Sequence, residues 1–164
     1  MRIRRQLFFS SLFILSCHIL QAQANYTGKW TLATKEHVIG PEYANALPDT
    51  IIVTQSKDSL ILVTVFIDID QQITRGRLSI ALNGNFSSHT GKTSMRKYTS
   101  SLSWGPDKKT LTITTVISMP ENDKETDFTR VERWDITDGK LQVYKKSIET
   151  TSDSWEVKGV YNKL

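Results

Sequence analysis

The sequence predicts an all-β protein, an antiparallel up-and-down meander of about eight to ten strands closed into a barrel. Three observations predict it. From Thr50 onward, runs rich in Val, Ile, Thr and Tyr alternate apolar with polar residues. The links between them are short and carry turn chemistry, as at Lys57-Asp58, Asp70-Gln71-Gln72, Asn83-Gly84, Gly105-Pro106-Asp107 and Asp138-Gly139. No long stretch holds a helical apolar period. Short links force neighbouring strands antiparallel, and closing the first strand onto the last removes the exposed edges of such a meander. A sandwich of similar strand count is the alternative.

The N-terminal residues stand apart from this pattern. Met1 to Arg5 carries three arginines and no acid, Leu7 to Leu15 is apolar, and Ala22-Gln23-Ala24 offers small residues for cleavage. That order is a secretory signal peptide over 1–24, leaving one domain over 25–164. The apolar run is too short and too Ser-interrupted to span a membrane comfortably. Cys17, the one cysteine, lies in this leader. Ile14-Leu15-Ser16-Cys17 loosely resembles a bacterial lipobox, so two fates are expected. Cleavage after Ala24 gives a soluble secreted or periplasmic protein without a thiol; lipidation of Cys17 gives a lipid-anchored outer-membrane lipoprotein.

Charge follows the same division. The chain has 21 basic and 17 acidic residues, but Arg2, Arg4 and Arg5 belong to the leader. The remaining 18 against 17 is near neutral, which argues against a nucleic-acid partner.

Tyr26 to Leu32 reads as the first strand, with Gly28 two places before Trp30. Lys35 to Asp49 holds Gly40, Pro41 and Pro48 without a period, and is expected as a long loop with a short helical turn at Pro41 to Ala46. Such a loop either covers the barrel mouth or is a plain surface connection. Thr50 to Gln55 and Ser59 to Ile69 are β-branched strands, and Ile73 to Leu82 alternates into an Asn83-Gly84 hairpin. Asn85 to Arg96 is polar, a short edge strand or loop. Tyr98, Ser100, Leu102 and Trp104 share one strand face; Leu111, Ile113 and Ile117 face inward on the next. Phe128 to Ile136, Leu141 to Glu149 and Trp155 to Tyr161 complete the meander.

The inventory for catalysis is thin. His37 and His89 are the histidines beyond the leader, and their spacing suits no zinc site. Asp68 and Asp70 flank Ile69 at a turn and read as surface acids. No nucleophile elbow, zinc-protease motif or phosphate loop is present, so no cofactor, metal or enzymatic role is expected. The informative strand is Phe128 to Ile136, where Phe128, Arg130, Glu132, Trp134 and Ile136 share a face. If the aromatics mark the interior, Arg130 and Glu132 lie inside as a polar anchor or a structural pair. If Val131 marks it, both charges are outside. The candidate ligand contacts are therefore Tyr98, Trp104, Arg130, Glu132, Trp134 and Tyr161. Gly28, Trp30 and Trp155 are the candidate barrel-end plug, large rings filling volume beside a small residue.

Tyr26-Thr27-Gly28-Lys29-Trp30-Thr31-Leu32 resembles the N-terminal signature of lipocalins and fatty-acid-binding proteins within the calycin superfamily. Asp49 to Gln55 followed by Leu60-Ile61-Leu62, then Arg133 to Ile136, Asp138 to Leu141 and Tyr161 to Lys163, continue the similarity, as do bacterial secreted lipocalin-like domains of this length. The resemblance implies a barrel binding a small apolar or amphipathic molecule in its interior, without enzymatic activity. The alternative is a filled barrel acting as an envelope interaction module or inhibitor. Two departures stand out. Fatty-acid-binding proteins hold a carboxylate with an Arg-x-Tyr pair on the last strand, whereas Gly159 stands two before Tyr161 and Lys158 faces the other way. The lidding helix pair of those proteins is expected to be missing or much shortened, and no room is expected before Leu164 for the helix that lipocalins add after the barrel.

Overall fold

The computed structural model describes residues 23–164; Cys17 and nearly all of the expected leader lie outside the described residues. Ten strands follow in order: β1 (Gly28–Ile39), β2 (Thr50–Gln55), β3 (Ser59–Ile67), β4 (Ile73–Ala81), β5 (Ser87–Thr90), β6 (Lys97–Trp104), β7 (Leu111–Ser118), β8 (Thr126–Thr137), β9 (Lys140–Glu149) and β10 (Trp155–Lys163). They form one antiparallel sheet in the order β4-β3-β2-β1-β10-β9-β8-β7-β6-β5. The first strand joins the last, from Trp30 opposite Lys163 to Ile39 opposite Glu156. The result is a nearly closed barrel, with no helix among the described residues.

The sheet's two free edges are β4 and β5, and this corrects the hairpin expected at Asn83-Gly84. The local turn does form: Asn83 Oδ1 accepts the Asn85 N–H at 3.0 Å. The strands on either side of it do not pair. β5 is only Ser87-Ser88-His89-Thr90, polar throughout, and its ladder runs to β6 instead. A slot therefore remains in the barrel wall.

Two further corrections concern the segment after the first strand. Lys35 to Ile39 continues β1 rather than starting a loop. It pairs only with β10, through irregularities at Leu32/Thr34 and His37/Ile39, and is almost wholly exposed, so no apolar alternation marks it. No helical turn forms at Pro41 to Ala46. A single turn closes there, the Ala46 N–H donating to the Tyr43 carbonyl at 3.2 Å.

One end of the barrel, the floor, holds the N-terminal segment and the β2–β3, β6–β7 and β8–β9 turns. Tyr26 crosses it. Its single hydroxyl proton is shared between the carbonyls of Lys109 at 2.5 Å and Trp134 at 2.9 Å. Its own carbonyl accepts the Trp30 indole N–H at 2.9 Å. Ala24 adds an N–H to the Lys108 carbonyl at 2.9 Å, and its carbonyl takes the Gln55 amide at 3.1 Å. Trp30, Trp134 and Tyr26 are all buried here, with Trp104 packed 6.0 Å from Tyr26, ring to ring. These rings close the floor. Gly28 stands beside them, where a Cβ would meet Lys163 Cε at 2.7 Å and φ is +152°. Trp155 serves the other end. It is the first residue of β10, while Lys163 opposite Trp30 is the last, and Trp155 packs on Tyr43 at 5.7 Å between ring centroids. The expected plug of Gly28, Trp30 and Trp155 is thus divided between opposite ends of the barrel.

Candidate functional site

Inward residues stack in rungs across β6 to β10, because cross-strand partners share a height. Nearest the floor, Trp104, Leu111, Trp134, Val143 and Gly159 form one rung. The next is Leu102, Ile113, Glu132, Lys145 and Val157. Above it run Ser100, Thr115, Arg130 and Ser147, and then Tyr98, Ile117 and Phe128. A cavity of about 270 Å³ occupies the space between these rungs and the inner faces of β2, β3 and β4.

The wall on the β2–β3–β4 side is mainly apolar, from Ile51, Leu62, Phe66 and Leu78, with Arg77 beside them, and the β6–β9 side sets polar and charged residues among Ile113, Ile117, Trp134 and Val143. Arg130 and Glu132 both line it, so the aromatics of β8 do mark the interior. What makes this tolerable is Lys145, directly opposite Glu132 in register and itself buried. Lys145 Nζ lies 3.3 Å from Glu132 Oε1, and the Trp134 indole donates to Glu132 Oε2 at 3.2 Å. Burial holds the Lys145 pKa below the usual lysine value; Glu132 opposes that and nearby Arg130 adds to it. Arg130 has no such partner. Its guanidinium carbon sits 4.7 Å from the centre of the Phe128 ring, and its Nε is buried with no acceptor among the described residues. Three cations, Arg77, Arg130 and Lys145, thus line the cavity with one carboxylate, Glu132.

The other candidates are sorted by height. Tyr98 and Trp134 line the cavity. Tyr98 stacks on His89 with ring centroids 4.9 Å apart, beside the β4–β5 slot. Trp104 does not line it: it is on the inward face but at the floor, against Tyr26. Tyr161 does not line it either. It is fully buried, its hydroxyl donates to the Pro48 carbonyl at 3.0 Å, and burial drives its pKa up.

That contact identifies the main element the sequence left open. The segment Gly40 to Asp49 folds back into the barrel along β10: Tyr43 on Trp155, Leu47 against Gly159, the Pro48 carbonyl on Tyr161. Ala46, Leu47 and Pro48 are buried, and the last two line the cavity. Sequence reasoning missed Lys145, Leu47 and the serine and threonine rung. Lys145 was detectable, since Leu141, Val143, Lys145 and Ser147 share a face by alternation. Leu47 sits in a segment without period and gave no signal. Asp68 serves the β3–β4 turn, its Oδ1 accepting the N–H groups of Asp70 and Gln72. Among the described residues no group of three His, Cys, Asp or Glu could hold a metal ion.

No protein-family model matches the chain, and no curated protein sequence matches it significantly. Solved structures do. A structure described as a REP1-NXSQ fatty acid transporter matches at TM-score 0.55 and 16% identity, over 84% of this chain and 95% of that one. A secretary abundant heat soluble protein from Ramazzottius varieornatus matches at TM-score 0.56 and 10% identity, over 88% and 98%. The Echinococcus granulosus fatty-acid-binding protein 1 matches at TM-score 0.56 and 14% identity, over 85% and 97%. At these identities the likeness establishes the fold, which is a calycin-type barrel.

Proposed function

We propose that the protein is an exported, non-enzymatic carrier that binds a small amphipathic acid inside its barrel. The observation that carries this reading is Arg130, a half-buried side chain that lines a largely apolar cavity and whose Nε is buried and unpaired among the described residues. A buried donor without an acceptor is costly, and a ligand anion would satisfy it while its apolar part covers Leu62, Phe66 and Ile113. The cation excess around the cavity favours the same charge. The likeness to barrels named for fatty acids supports the ligand class, and Met1 to Ala24 supports export by its leader-like order. In this arrangement Arg130 takes the place of the missing last-strand arginine as the headgroup contact.

The test is calorimetric titration of the purified protein with octanoate and, separately, octanol. Octanoate is expected to bind at least about tenfold more tightly, as a charge-assisted hydrogen bond contributes about 1.5–3 kcal/mol. Arg130→Gln should abolish that preference. Equal binding of the two, or no binding of either by the folded protein, overturns the reading.

A further inference from the structure

We propose that Leu47 sets the length of ligand the cavity accepts, so that the protein selects short-chain acids over long-chain ones. The proposal rests on the acid-binding reading above. Three features of the interior support it.

The first is that the cavity is blind at depth. Arg130 and Trp134 are four residues apart on β8, about 13 Å of strand. A tail running down from a headgroup at Arg130 therefore reaches the floor, where Trp30, Tyr26 and Trp134 are buried and hydrogen-bonded into place. Nothing there yields easily.

The second is that Leu47 stands at that depth. It packs against Gly159, which shares a rung with Trp134 and Val143, and it is only 3% exposed. Its position is fixed from both sides, by Tyr43 on Trp155 and by the Pro48 carbonyl on the Tyr161 hydroxyl. Gly159 makes the fit possible. A Cβ at that position would lie 2.6 Å from Leu47 Cδ1, 3.1 Å from Tyr161 Cε2 and 3.2 Å from Leu32 Cδ1. With no side chain on β10 there, the segment from Tyr43 to Pro48 brings its own into the barrel.

The third is volume. The cavity, at about 270 Å³, lies just below the ~300–1,000 Å³ range of pockets that take drug-sized ligands. That suits a short acid. Trimming Leu47 to alanine removes three heavy atoms and makes room for about three more carbons.

The experiment is a calorimetric series of unbranched acids from hexanoate to hexadecanoate, each below its aggregation concentration, against the full barrel. The wild-type protein should bind octanoate best. Leu47→Ala should move the optimum about three carbons longer and tighten undecanoate by about fiftyfold, the yield of three buried methylenes. Leu47→Phe should move it the opposite way, a reversal that mere loosening of the segment would not produce. Near-ultraviolet circular dichroism checks that each variant is folded, and either variant alone decides the sign. An unmoved optimum in a folded variant, or hexadecanoate binding the wild type as tightly as octanoate, overturns the inference while leaving acid binding intact. Failure of every acid to bind the wild type removes the acid-binding reading and this inference with it.

Discussion

The Glu132–Lys145 pair gives the sharpest test of which residues face the interior. At 3.3 Å, two unit charges in an environment of effective dielectric ~20 attract by about 5 kcal/mol. Part of that is spent on taking Lys145 out of water, so the pair as a whole adds little net stability. Removing one partner is another matter. Lys145→Met strands the carboxylate of Glu132, whose side chain is 25% exposed and keeps only the Trp134 indole as donor. Breaking a buried pair in this way costs about 3–5 kcal/mol, and the residual exposure of Glu132 places this case near the lower figure, about 3 kcal/mol. For a domain of this size that corresponds to a fall of roughly 10 °C in Tm. Combining Glu132→Gln with Lys145→Met removes the stranded charge and should restore about 2 kcal/mol relative to Lys145→Met alone. Urea unfolding followed by tryptophan fluorescence measures all four proteins, since Trp134 contacts the pair directly. If the two single losses simply add in the double variant, to within about 0.5 kcal/mol, the residues do not interact and the inward reading of β8 fails.

Stability should also turn over at alkaline pH. Burial lowers the folded pKa of Lys145, so below the usual lysine value the unfolded chain binds more protons and stability rises with pH. The raised phenols act in the opposite sense. Burial holds Tyr26 and Tyr161 protonated, and the hydrogen bond to Glu156 pushes Tyr144 up to about 12, so above pH ~10 the unfolded chain sheds protons first and stability falls. Urea midpoints between pH 8 and 11 should show Lys145→Met losing the rise and Tyr161→Phe softening the fall; identical profiles in both variants and wild type would contradict the assigned burial. At the floor, Gly28→Val should cost about 1–2 kcal/mol, combining a strained φ with the Lys163 contact, while exposed Lys29→Ala stays within about 0.5 kcal/mol. Equal thermal midpoints for the two would argue against close packing where β1 meets β10.

Much of this barrel was legible because alternation on a half-buried strand states which way each side chain faces. It read Leu111, Ile113 and Ile117 correctly, and it put Arg130 and Glu132 on the same face as Trp134. It could not say whether two charges would be admitted to the interior, because that depended on Lys145 across the ladder. A second quantity, height along the barrel axis, is carried by register and not by any local pattern. Tyr98 and Trp104 share a face of β6, yet six residues separate them, about 20 Å of strand. One lines the cavity and the other seals the floor against Tyr26. Trp155 and Tyr161 differ in the same way on β10.

The segment from Tyr43 to Pro48 was illegible for a different reason. Its burial comes from a vacancy on another strand, at Gly159, more than a hundred positions away in the chain. The same glycine was visible in the sequence only as the arginine it is not. In the folded chain that absence is filled by Leu47 from one side, while the positive charge moves to Arg130 on β8. In the proposed binding mode, headgroup contact and depth limit thereby come from separate elements. A substitution at Arg130 should change which chemical class binds, and one at Leu47 should change which length binds, each without moving the other.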